Sequence, residues 1–343
     1  MEIINHTPFK VLPFESITAQ GTAFYTIVMR ATFNITEDGM FKLAGDQEGV
    51  LVADEYYAET ASSSLHKPND LAPIKMNTDI YVTGSAKSEK GAQLESWQVN
   101  VQVGELSKSL TVFGSREWLY NKADGWILSS PEACSEVKLR YELASGGSWG
   151  DEDDGEDSDM NPIGRGCCNP DLLNKEETFL APQILAVGED VPALGEFLTA
   201  KGFGPIPPSW EQRLVYAGTY DSEWEENQHP LPPKDFQYDF YSAAHPDLIY
   251  SGYLKGNENV SLEGLTSAGK LTYKLPGYSI SAEFTDRKDN MFGGTGRLDT
   301  LHIDVDEMKM YLVWRVTVHY GDEGAPIEKV VIQMKEEEVE LNK

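Results

Sequence analysis

Few of the six histidines, three cysteines and 56 acidic residues of this chain stand at spacings that suggest chemistry. The most suggestive run is Leu301-His302-Ile303-Asp304-Val305-Asp306-Glu307. On a β-strand alternate residues project to one face, so His302, Asp304 and Asp306 would lie within reach of a common cation while Leu301, Ile303 and Val305 face the core. An antiparallel strand with one wet face gives the same alternation without any metal. The three residues are therefore weak metal candidates, and a half-exposed strand with a polar outer face is the preferred reading. The acidic run Asp151 to Asp159 fails as an EF-hand: counting back from Gly155 gives Asp154, Glu152 and Gly150, and Asn161 occupies the place of the bidentate glutamate. No GxSxG elbow, HExxH pair or Gly-Lys-Ser/Thr loop occurs, and Gly164-Arg165-Gly166 and Gly293-Gly294-Thr295-Gly296 read as turns. Cys134, Cys167 and Cys168 form neither a CxxC pair nor an even disulfide framework, which points to reduced thiols. Carboxylate pairs for sugar hydrolysis are defined by separation in space and cannot be picked out from this sequence.

The elements that would position these residues are mostly strands. Phe24 to Ile35 is rich in β-branched and aromatic residues, and a turn at Glu37-Asp38-Gly39 leads to a second run from Met40, predicting a hairpin. Ser96 to Gly104 alternates with period two and sends Trp97, Val99, Val101 and Val103 to one face, with a further strand at Lys108 to Phe113. Later strands are predicted at Leu271 to Leu275 and Tyr278 to Phe284 around the turn pair Pro276-Gly277. Thr300 to Asp306 and Met310 to Tyr320 are joined by Glu307 to Lys309, and Lys329 to Met334 is the last strand. Helices are expected only as short pieces at Pro192 to Ala200 and Pro233 to Ala244. The fold class is mainly β, all-β or α+β with few short helices, its antiparallel sheets packed as sandwich-like halves. Residues 1–145 and 161–343 form two β-rich halves, or one continuous domain, on either side of the acidic loop 146–160, and EEEVELNK closes the chain as a solvated tail.

Charge narrows the partners. The formal net charge is -28, so nucleic acid and anionic membrane surfaces would be repelled. Acidity by itself keeps a protein soluble and leaves a basic protein partner open. The N-terminus lacks the basic and apolar regions of a signal peptide, and no stretch approaches the roughly 20 apolar residues of a membrane span.

The most distinctive segment is Trp210 to Leu248, WEQRLVYAGTYDSEWEENQHPLPPKDFQYDFYSAAHPDL. Its Trp210 and Arg213, Ala217-Gly218-Thr219-Tyr220-Asp221, Trp224, Pro230-Leu231-Pro232, Asp235-Phe236 and Pro246-Asp247 resemble, in order, a bacterial family of unknown-function proteins encoded beside type VI secretion genes. Asn161-Pro162-Ile163-Gly164-Arg165-Gly166 and Phe203-Gly204-Pro205-Ile206 precede it in the same pattern. Asn5-His6-Thr7-Pro8-Phe9, Ala31-Thr32-Phe33, Ser62-Ser63-Ser64-Leu65, Asp70-Leu71-Ala72-Pro73 with Lys75, and Thr78-Asp79-Ile80 extend it toward the start. Phe113-Gly114-Ser115-Arg116 with Trp118, and Leu298-Asp299-Thr300-Leu301 through Trp314-Arg315, extend it toward the end. Nearly the whole chain is covered. The departures are Cys167 and Cys168, in place of an apolar or aromatic residue, and the acidic insert.

The resemblance implies a cytoplasmic adaptor or chaperone of a Gram-negative bacterium. It would bind and stabilise a secreted effector with a PAAR domain, often of the Rhs type, and help load it on the VgrG spike. It implies no enzymatic activity and no cofactor, and no small-molecule ligand is expected. A β-sandwich protein that binds or hydrolyses glycans and a structural part of the secretion apparatus are the alternatives. Trp210, Arg213, Tyr220, Asp221, Trp224, Pro232, Asp235 and Phe236 are the candidate partner-binding residues, since aromatics and arginine dominate binding hot spots. The competing reading makes them an internal clamp, in which Asp221 and Asp235 cap helices or turns, Arg213 pairs with a carboxylate and the prolines end segments.

Overall fold

A computed structural model describes residues 1–60, 62–149, 156–158, 160–196, 198–319 and 326–336. The architecture is mainly β, with several mostly antiparallel sheets and, among the described residues, no closed barrel. The largest sheet has seven strands. Six lie in the order Lys10–Ile17, Ala23–Ile35, Lys309–His319, Arg297–Asp304, Thr78–Thr83, Ile249–Tyr250, and Phe41–Leu43 pairs beside Ala23–Ile35. All its pairings are antiparallel except that of Arg297–Asp304 with Thr78–Thr83. A five-stranded antiparallel sheet runs Ile184–Ala186, Leu106–Phe113, Ser96–Val103, Asn259–Glu263, Lys270–Lys274. A four-stranded sheet runs Glu2–Asn5, Ile327–Glu336, Tyr278–Asp286, Met291–Thr295.

The period-two pattern decides what each strand buries. Ala23–Ile35 turns Ile27, Met29, Ala31 and Phe33 to one side, Lys309–His319 adds Met310, Leu312 and Trp314, and Arg297–Asp304 adds Leu301 and Ile303. These pack in one contiguous core with Val99, Val101 and Val103 of the five-stranded sheet and with Ile280, Phe284, Val330 and Ile332 of the four-stranded one. Burying such side chains stabilises by about 1.5–3 kcal/mol each, which accounts for packing across sheets that share few backbone bonds.

Strands from both sides of the acidic stretch share the seven-stranded sheet, so Gly146 to Met160 does not separate two sheets. Residues 150–155 and 159 of that stretch, and the tail beyond 336, lie outside the described residues. Asn161 closes the stretch from within: its Nδ2 donates to the carbonyls of Tyr141 and Ser145, both at 2.9 Å. Gly146 and Gly164 lie so close to it that a Cβ on either would collide with Asn161 atoms.

The expected helices differ. Pro192 to Ala200 forms no helix among its described residues, since Gly195 takes φ +89°, and Pro233 to Ala244 keeps only a 3-10 turn at Tyr238–Tyr241. The α-helices are Glu211–Leu214 and Ser222–Asn227, both inside the distinctive segment. Pro276-Gly277 does not close a hairpin: it hands the chain from Lys270–Lys274 in one sheet to Tyr278–Asp286 in another. No helix of the described residues is long and apolar enough to cross a membrane.

Candidate partner-binding surface

The distinctive segment is rooted in the core and opens at the surface. Trp210 is buried with its ring edge-on to Tyr141, the centroids 5.2 Å apart. Arg213, one turn later, is also buried, but among the described residues it forms no ion pair with a carboxylate. Its Nε donates to the Phe240 carbonyl at 2.9 Å and its guanidinium to the Ile206 carbonyl at 2.8 Å. Burial lowers its pKa, and Asp79 and Asp54 act against that from farther away. The expectation of an ion pair fails because a loop carbonyl is what the fold presents at this depth; the arginine clips the loop at Ile206, just ahead of the segment, to the turn at Phe240.

The next residues face outward. Leu214, Val215 and Tyr220 are exposed at 49%, 54% and 58%, and Trp224 is half-buried. Their backbone is nonetheless fixed. Asp221 accepts from the Trp224 backbone N–H at 2.9 Å and caps the helix Ser222–Asn227. Asp235 accepts from the backbone N–H of Thr219 at 3.0 Å and from its hydroxyl at 2.8 Å, and these bonds lower its pKa. Gly218, at φ +80°, lets the two strips touch, since a Cβ there would stand 2.9 Å from Pro233. The Trp224 indole N–H donates to the Leu231 carbonyl at 2.9 Å, and its ring meets Tyr220 and His229 edge-on at 4.7 and 5.3 Å. Gln228 ties this strip to the large sheet's first hairpin, donating to the carbonyls of Ala19 at 2.7 Å and Pro232 at 2.9 Å. Phe236 packs against Tyr238, Phe240 and Tyr241, and Pro232 is half-buried.

A cavity of about 180 Å³ lies between Trp224, Pro233, Asp221, Glu223 and Asp235. Glu225 and Glu226 are exposed on the adjacent helix. Of the eight sequence candidates, Trp210 and Arg213 are thus internal anchors, Asp221 and Asp235 brace turns, and Tyr220, Trp224, Pro232 and Phe236 form an aromatic and proline surface edged with acid.

The second sequence candidate lies elsewhere. His302 and Asp304 share a face as expected, but that face is not wet: they are 0% and 2% exposed. The non-core side of the large sheet is covered by the segment between Ala44 and Met76, whose side chains and carbonyls meet a layer of charges. Arg30 pairs with Asp70 at 3.1 Å, Lys75 with Asp79 at 2.6 Å, and Arg315 with Asp299 at 2.7 Å. Arg315 also donates to the carbonyls of Asp70 and Ala72. Glu48 joins Lys309, Tyr311 and Lys67; burial opposes its ionisation, but those partners bring its pKa down to about 2.

Within this layer His302 lies between Tyr81 and Tyr311 with Nε2 2.7 Å from the Thr83 hydroxyl. Burial and the Arg30 charge lower its pKa well below the ordinary range, so it is neutral at pH 7. Asp304 meets His66 at 3.2 Å and accepts from the Glu307 backbone N–H at 2.9 Å; these hold its pKa low against the effect of burial. Asp306 turns away to Lys87 at 2.8 Å and Ser85 at 2.9 Å. The Thr83 hydroxyl bridges His302 and Asp304, lying 3.2 Å from the Asp304 carboxylate, while Asp306 meets other partners, and among the described residues no group of three or more His, Cys, Asp or Glu side chains is placed to hold a metal ion.

Sequence reasoning assigned no role to the buried charges, although Asp70, Lys75, Asp79, Asp299 and Arg315 are among the residues that carry the family resemblance. The available signal was a lone charge inside an apolar strand, as with Arg30 in FYTIVMRATF and Arg315 in YLVWRVTV. Cys134, Cys167 and Cys168 are not in disulfides, and burial raises the Cys168 pKa.

No curated protein and no solved structure matches the chain. A family model does, over residues 20–315, a span that takes in the covered charge layer and the aromatic surface alike. The chain belongs to that family, described as an uncharacterized protein conserved in bacteria, DUF2169.

Proposed function

We propose that this protein is a cytoplasmic adaptor that holds another polypeptide on the surface built by Trp210 to Leu248. The observation that carries the reading is that Tyr220 is exposed and Trp224 only half-buried although capping, indole and glutamine hydrogen bonds fix the backbone beneath them. Large aromatic side chains already fixed in place bury much area on binding and lose little entropy, which is the character of a binding hot spot. The acids around them favour a partner segment that mixes apolar and basic residues.

The sequence resemblance points to the cargo proposed here, an effector of a type VI secretion machine with a PAAR domain, often of the Rhs type, kept stable and passed to the VgrG spike. The test is co-expression with a PAAR-domain effector of the same bacterium. The effector should co-purify, Tyr220→Ala with Trp224→Ala should weaken binding at least about tenfold, and Tyr220→Ala alone, at an exposed position, should weaken it at an unchanged melting temperature. Full retention of an effector stripped of its N-terminal region and PAAR domain, or full binding by the double variant, would count against the proposal.

A further inference from the structure

The charge layer opens to solvent at one end of the large sheet. Arg297 pairs with Arg315, and beyond that point Lys309–His319 runs on without a partner from Arg297–Asp304. The edge strand Met291–Thr295 rises beside this stretch, so near that a Cβ on Gly294 would lie 3.9 Å from Val316. Among the described residues the outer side of Met291–Thr295 has no strand neighbour. A cavity of about 340 Å³ occupies the gap, lined by Lys75, Arg297, Asp299, Arg315 and His319, with Gly294 and Thr295 in its wall.

Its charge runs against the rest of the molecule. Three cations face one carboxylate in the lining, in a chain of net charge -28. Two of the cations are matched from within, Arg315 by Asp299 at 2.7 Å and Lys75 by Asp79 at 2.6 Å. Arg297 is left over. It is exposed, donates to the Tyr253 hydroxyl at 3.1 Å and lies 5.0 Å over that ring, and no described carboxylate pairs with it. The Tyr253 hydroxyl in turn donates to the Lys75 carbonyl at 2.6 Å, which holds the guanidinium at the cavity mouth.

We propose that this cavity binds one carboxylate, carried by an extended peptide segment that lies along the edge strand Met291–Thr295 and places an acidic side chain on Arg297. A free strand edge with two glycines offers backbone groups without side chains in the way, as in strand addition. The excess charge is a single guanidinium, whose planar fork matches a carboxylate in two bonds. A dianionic phosphate would bring a second negative charge up against Asp299 with no cation left to meet it.

The test uses the full chain and a rhodamine-labelled, end-capped heptapeptide alternating valine and glutamate, followed by fluorescence anisotropy. Salt at about 0.15 M screens the long-range repulsion between two acidic molecules. The glutamate peptide should bind at least about tenfold tighter than its glutamine counterpart. Arg297→Gln should abolish that preference, and Thr295→Glu, which adds a competing carboxylate at the wall, should weaken binding of the glutamate peptide. Both positions are exposed, so both variants should melt like the parent. Equal binding of the two peptides, no binding up to about 1 mM, survival of the preference in Arg297→Gln, or stronger displacement by inorganic phosphate than by acetate would each overturn the assignment.

Discussion

Lys108 illustrates how far a single side chain can be driven from its usual state. Its ammonium group is buried, and its nearest partner is Asp247 at 3.4 Å, too long for a strong charge-assisted bond. Burial lowers its pKa from 10.5 to about 7, only partly offset by Asp247 and reinforced by Lys201. His245 beside it is itself lowered to about 4, by burial and by Lys108, and is neutral at pH 7. Folding lowers the Lys108 pKa, so between about pH 7 and 10.5 the unfolded chain binds the extra proton and stability rises with pH. The destabilisation is complete below that window. Lys108→Met should therefore stabilise by about 1–3 kcal/mol at pH 6, with the gain fading toward pH 10. Chemical denaturation at the two pH values checks this, and a loss of stability at pH 6 would show that the Asp247 pair outweighs the burial cost. Nothing local in the sequence marks Lys108, because its burial comes from the Pro246–Leu248 turn, far along the chain. Trp210 and Trp224, by contrast, stood out in sequence because their neighbours Gly218, Asp221 and Asp235 are turn and cap residues whose spacing is local.

At the scale of elements, the segment covering the polar face of the large sheet is the part least like an ordinary sandwich. It carries little regular structure, and what fixes it is polar. Asp70 pairs with Arg30 and accepts the Leu51 backbone N–H at 2.9 Å, while Gln47 bonds both the N–H and the C=O of Thr32 at 2.9 Å. Removing one partner of a buried ion pair leaves the other charge uncompensated, at a cost of about 3–5 kcal/mol. Asp70→Asn should approach that cost and act locally first, raising proteolysis and amide exchange between Ala44 and Met76 before the core strands respond. Protection of that segment equal to the parent's would mean that packing, not the ion pair, holds it down. The strands themselves were legible in sequence, since Ala23–Ile35, Ser96–Val103 and Lys309–His319 follow simple alternation. The cover was not, because a coil held by single long-range bonds leaves no periodicity to read. The expected wet face of His302 and Asp304 was wrong for the same reason.

For the whole molecule, the decisive feature is that the two ends of the chain meet in the middle of the largest sheet. Ala23–Ile35 pairs with Lys309–His319 over eleven registered positions, from Lys309 with Asn34 to His319 with Phe24. Thr78–Thr83 is bound on both sides by strands that come after the acidic stretch. An N-terminal fragment 1–145 therefore lacks the strands that cover both Ala23–Ile35 and Thr78–Thr83, and it exposes Arg30 and Asp79 together with Ile27, Met29, Ile80 and Val82. A fragment 161–343 lacks the partners of Arg297–Asp304 and Lys309–His319 in the same way. Contacts between residues so distant in sequence recover the entropy of ordering the chain only once both ends are present. Expressed separately, fragments 1–145 and 161–343 should each show no cooperative thermal transition, and co-expressed they should assemble into a complex that melts in a single step. A sharp, independent transition in either fragment alone would mean that the sheet divides into autonomous halves after all, and that pairing across its centre adds little to the stability of either.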